Sequence, residues 1–124
     1  MERVVEIVQV QFTVGDERQG SALVTALLKA RLIACGQLVG PITSRYWWKG
    51  KLEEATEWIC LTKTTLANVD EITSVVRQHH PDEVPEIIAL PVVAGLDDYL
   101  AWVQAEVRGS QPATPGQRSS RGQG

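Results

Sequence analysis

The chain has 124 residues, 44% of them apolar, and a formal net charge of −3. That length holds one domain with a real core and not two comfortable ones. Arg108, Arg118 and Arg121 stand beyond the last acid, so the chain before Arg108 carries 9 basic and 15 acidic residues; an acidic body without a basic stripe argues against a nucleic-acid partner.

Met1-Glu2-Arg3 leads straight into Val and Ile with no signal-peptide pattern, and no run is long enough to span a bilayer. A soluble, cytoplasmic protein with no membrane partner is expected. Cys35 and Cys60 make no disulfide framework, and each, among apolar neighbours, reads as a small buried hydrophobe.

Val4 to Thr13 alternates and is rich in β-branched residues, so it reads as the first strand. Asp16 suits a helix N-cap, with Gln19 in the capping-box position. Leu23, Leu27, Ala30 and their neighbours at helical spacing place the first helix over Glu17 to Leu32. Cys35 to Trp48 is the second strand, and Gly40-Pro41 should bend or bulge it.

The stretch from Ser44 to Glu54 organises the rest. A two-residue Lys49-Gly50 loop pairs Trp48 with Lys51, Trp47 with Leu52, Arg45 with Glu54 and Thr43 with Thr56. The last two are favoured cross-strand pairs. The third strand then runs from Lys51 to Thr64, far longer than a usual strand, and overhangs any small domain. With Tyr46, Trp47 and Trp48 near its tip, such a hairpin should lie on another copy of the chain. Interface packing is the stronger reading of these three rings, ligand stacking the weaker.

A second helix starts at Thr64/Thr65 and ends near His79, before Pro81. Glu86 to Val93 is the fourth strand; Pro91 makes it an edge or a bend. Leu96 to Val107 is a short third helix. From Arg108 onward Gly, Ser, Pro, Gln and Arg dominate, so residues 108–124 read as a disordered tail behind a single domain of residues 1–107. The order β-α-β-β-α-β plus a C-terminal helix is that of an α+β, ferredoxin-like sandwich. Helices on one face should leave the other polar, yet the first, third and fourth strands carry apolar residues on both parities. Neighbouring subunits are the economical cover.

No nucleotide-binding signature is present. His80, at a helix end and beside Asp82, Glu83 and Glu86, suits a divalent cation by donor type; the spacing favours a cap on the last helical carbonyls instead. A Cys35–His80 or Cys60–His80 nucleophile pair has nothing in the sequence to bring it together. Lys63, in an apolar stretch, either reaches to solvent or pairs with a carboxylate at a subunit cleft.

Taken together, Leu32-Ile33-Ala34-Cys35, Tyr46-Trp47-Trp48-Lys49-Gly50-Lys51, Glu53-Glu54, Lys63-Thr64 and the run from His80 to Pro91 resemble the CutA divalent-cation-tolerance family, in its order and spacing, over residues 4 to about 107. The resemblance implies a homotrimer built like the PII signalling proteins, with the long hairpin reaching across a neighbour. It implies no catalytic activity, and a role in tolerance of divalent metals, copper (Cu2+) above all. Cys35 matches the family cysteine after the first helix, and His80, Glu83 and Glu86 match polar members of the family's His-Pro run. The metal is expected at an intersubunit cleft, held by Cys35 or by His80 and Glu83, with Glu86, Lys63 and the three aromatics at that cleft or interface. Asp82 stands where the family usually has Tyr, adding a carboxylate and removing an aromatic wall. The alternative function is a non-catalytic trimeric scaffold or a PII-like sensor of a small ligand.

Overall fold

The computed structural model describes residues 5–109. The elements run β1 (Ile7–Val14), α1 (Glu17–Lys29), β2 (Cys35–Trp48), β3 (Lys51–Thr65), a 3₁₀ turn (Leu66–Asn68), α2 (Val69–His79), β4 (Ile87–Pro91) and α3 (Asp97–Glu106). One antiparallel sheet has the order β2-β3-β1-β4. This is the expected ferredoxin-like order, with β4 at an edge as Pro91 requires. The tail expected to be disordered lies, beyond residue 109, outside the described residues.

Both ends of α1 follow from its sequence. Asp16 accepts the Gln19 amide at 2.7 Å, and the Gln19 side chain accepts the Gly15 amide at 3.1 Å. The helix stops three residues before the expected Leu32 because Arg31 turns to φ 60°. The Leu32 amide then reaches the Leu27 carbonyl, and the Arg31 amide that of Leu28. That is a Schellman closure, sealed by Leu27 and Leu32, both buried.

The hairpin has the expected register, with Trp48 opposite Lys51, Trp47 opposite Leu52, Arg45 opposite Glu54 and Thr43 opposite Thr56. Lys49 and Gly50 sit at φ 50° and 80°, the signs of a type I′ turn. Gly40-Pro41 forms the expected bulge, where the register slips between Val39 and Ile42. There the Gly40 backbone lies so close to the Trp58 ring that an added Cβ would fall 2.5 Å from it.

Val8, Val10, Phe12 and Val14 of β1 pack with Leu23, Val24, Leu27, Ile72 and Val76, so α1 and α2 cover one face of the sheet. The opposite face carries Val39, Ile88 and Leu90, each more than two-fifths exposed. α3 packs against β1 and β3 and buries Val103 and Val107. β1 accompanies β3 only from Trp58 to Thr65. Lys51–Glu57 and their β2 partners therefore project as a bare two-stranded ribbon, about 23 Å long at strand rise. Trp47 and Leu52 on one side of it are 71% and 68% exposed, and Tyr46 on the other is 43% exposed. Such a ribbon has little stability by itself in water.

Gly50→Ala places a side chain in left-handed backbone and should cost about 1–2 kcal/mol. Gly40→Ala presses on Trp58 and should cost about 1–3 kcal/mol. Chemical denaturation at one fixed protein concentration measures both; unchanged midpoints would contradict the turn and bulge geometry.

Candidate functional site

Residues opposed on antiparallel strands share a face, so the pairings lay out the open side of the sheet row by row. One row is Cys35, Lys63, Gln9 and Leu90; the next is Gln37, Leu61, Gln11 and Ile88. Gln9 donates to Gln11 at 3.3 Å along this face. Lys63 and the glutamines Gln9, Gln11 and Gln37 are thus interleaved with Leu61, and the β4 edge is apolar.

Cys35, half-buried, begins β2 right after the Schellman turn and is opposite Lys63. The Tyr99 hydroxyl of α3 lies 3.5 Å from its sulfur. The hydrogen bond with Cys35, then burial, then the cysteine's own charge push the Tyr99 phenol up to about 12. Tyr99 also tilts against Trp102, ring centres 5.7 Å apart. This neighbour of Cys35 was not legible in the sequence: Tyr99 lies 64 positions away, and only the seat of α3 brings it in.

His80 sits elsewhere. Its Nε2 is 2.7 Å from the Thr13 carbonyl, and its Nδ1 accepts the Asp82 amide at 3.0 Å. Thr13 is opposite Ile59, four residues along β3 from Lys63. That separates the row it joins from the Cys35 row by about 13 Å at strand rise. Glu83 and Glu86 are exposed on the segment after His80. The expected helix cap is corrected here: the ring that meets a carbonyl of its own helix is that of His79, whose Nδ1 is 2.9 Å from the Val75 carbonyl. The His80 ring turns away because the residue before Pro81 must leave helical backbone, and it does so at φ −95°, ψ 134°. Neither cysteine meets a histidine in the hydrogen-bonding pattern. Among the described residues no three His, Cys, Asp or Glu side chains gather into a metal-binding group, so one subunit does not bring Cys35, His80 and Glu83 together.

Cys60, as expected, is a core residue with no exposed surface, and burial raises its thiol from 9.0 to about 11. Tyr46, Trp47 and Trp48 occupy the ribbon, with the Lys49 ammonium 5.5 Å from the centre of the Trp48 ring. Lys63 is half-buried within the open face rather than at its rim.

A family model described as "CutA1 divalent ion tolerance protein" matches residues 8–106. The divalent-cation tolerance proteins CutA of Citrobacter koseri and of Salmonella newport are each 38% identical over 103 residues, covering 83% of this chain and 90% of theirs. Among solved structures, CutA1 of Oryza sativa superposes with a TM-score of 0.82 at 35% identity, covering 86% of this chain and 97% of its own. The divalent cation tolerance protein of Thermus thermophilus follows at 0.78 and 36%, covering 84% and 99%. A protein of Archaeoglobus fulgidus, described as periplasmic, reaches 0.78 at 30%, covering 81% and 97%.

The folded chain keeps the Cys60 proton where an unfolded chain, with its thiol near 9.0, has lost it. Its contribution is therefore complete below pH 9 and is lost as the pH climbs toward 11. Cys60 should resist iodoacetamide at about pH 8 in the folded protein and react on unfolding, and Cys60→Ala should flatten the fall in stability above pH 9. Rapid labelling of native Cys60, read by peptide mass, would contradict its burial.

Proposed function

The chain belongs to the CutA1 divalent ion tolerance family, and on that premise we propose that it serves divalent-cation tolerance as a non-catalytic homotrimer. The supporting observation is the bare ribbon, which exposes large apolar side chains near its tip on both sides, beside a sheet face that α1 and α2 leave open. In a closed ring of three, each copy lays one of these surfaces on the other surface of the next, the head-to-tail contact that threefold symmetry uses. The count of three is what the resemblance to the family implies, and the compartment we assign is the cytoplasm. Among the described residues no helix is long and apolar enough to cross a membrane.

The divalent ion, Cu2+ in our reading, is a ligand completed between copies. Cys35 is its soft donor and the exposed carboxylate of Glu83 its oxygen donor, with Glu86 beside them at the cleft. Lys63 and the aromatics line the same cleft. One subunit does not gather these groups. That same observation favours the second reading, a scaffold or sensor of a small ligand with no metal of its own.

Native mass spectrometry should give three chains per particle, and truncation after residue 109 should leave that number unchanged. Trp47→Ala should shift the protein toward smaller species at micromolar concentration. A monomeric wild type would overturn the assembly. Calorimetric titration with Cu(II) should show binding that Cys35→Ser abolishes. Equal binding by the variant removes Cys35 from the site, and no binding by either protein leaves the scaffold reading.

A further inference from the structure

The backbone of β1 alternates between its two neighbours. The Leu66 amide, past the end of β3, donates to the Glu6 carbonyl, while the Val92 amide, past the end of β4, donates to that of Ile7. Odd-numbered residues of β1 therefore present their carbonyls to β4. The pairs run Gln9 with Leu90 and Gln11 with Ile88, so the next rung would join Thr13 to Glu86. That rung is missing: the ladder ends at Phe12 opposite Ile87. Thr13 is buried, and an unpaired carbonyl there would be costly.

His80 supplies the missing donor. The Thr13 carbonyl can only accept, so Nε2 carries the proton; the Asp82 amide can only donate, so Nδ1 carries none. A neutral imidazole has one donor and one acceptor, and both are used. The side chain is 2% exposed, and the nearest charge facing it is the Asp82 carboxylate, 4.0 Å from Nδ1. No lone pair is left for a metal.

We infer that His80 is a positioning residue: it closes the open end of the β1–β4 ladder and pins the turn that carries Glu83 and Glu86, and it is not a metal ligand. The expected strand start at Glu86 slips to Ile87 for the same reason, since the histidine ring takes the bond that Glu86 would have made. A donor set built on His80 is thereby excluded in the folded subunit. Any oxygen site on this turn depends on the ring for its shape alone.

The test is nitrogen NMR of the uniformly labelled full chain. His80 should show a protonated Nε2 and an unprotonated Nδ1, and neither signal should move when Zn2+ is added to saturation. The opposite tautomer, or ring signals that shift in proportion to added Zn2+, would overturn the assignment. Hydrogen exchange supplies a second readout. His80→Ala should speed exchange of the Asp82 amide about tenfold, the equivalent of one lost hydrogen bond, while the amides pairing β1 with β3 keep their protection. His80→Gln, whose amide can both donate and accept, should restore part of it. Unchanged exchange in the alanine variant would show that the ring pins nothing. Should that variant fail to fold, the wild-type nitrogen signals still decide.

Discussion

A sheet has two faces, and among the described residues α1 and α2 cover only one. That shortage governs the rest of the molecule. α1 and α2 take the side formed by Val8, Val10, Phe12 and Val14. The other side keeps half-exposed Val39, Ile88 and Leu90 beside Lys63, Gln9 and Gln11. Such a mosaic is too apolar for a free surface and too polar for a monomer's core. It suits a junction where several copies meet and the amides can pair across it. β2 and β3 also outgrow β1, which accompanies β3 only from Trp58 to Thr65.

α3 limits how much of that side stays open. Its C-terminal end is tied down by the Arg31 guanidinium, which reaches the Glu106 carboxylate at 2.8 Å and the Glu106 carbonyl at 3.1 Å. Arg108 pairs with Glu71, and the Asn68 amide donates to both the Thr64 hydroxyl and the Arg108 carbonyl. The ion pairs are partly solvated and worth little singly. The buried Asn68 contacts, with Val103 and Val107 beneath the helix, are the stronger anchor. Arg31 has two roles, since its left-handed backbone ends α1 while its side chain seats α3. Through that seat, Tyr99 reaches Cys35.

What could be read from the sequence is what short-range chemistry decides. Hairpin register was legible because a Lys-Gly turn and cross-strand partners such as Arg45 and Glu54 lie close along the chain. The capping box at Asp16, the bulge at Gly40-Pro41 and the edge position of β4 have local causes too. The early end of α1 was less legible: nothing marks Arg31, unlike a glycine, as left-handed. The candidate site was least legible. Thr13 is 67 positions from His80, and Tyr99 is 64 from Cys35. No periodicity encodes contacts that exist only once the sheet is assembled. The His80 ring was read as facing its own helix because the sequence displays only that neighbour.

The overhanging ribbon also bears on the order in which the chain organises itself. Its rungs close outward from the Lys49-Gly50 turn, each over a short loop, whereas Phe12 must wait for Ile87 to arrive from across most of the sequence. Loop-closure entropy favours the nearby contacts first. During synthesis the residues of the ribbon leave the ribosome before those of α2, β4 and α3. The exposed apolar side chains of the ribbon, those we propose to meet sister copies, thus emerge while the nascent chain is still unfinished, and a polysome carrying several such chains brings them within reach of one another.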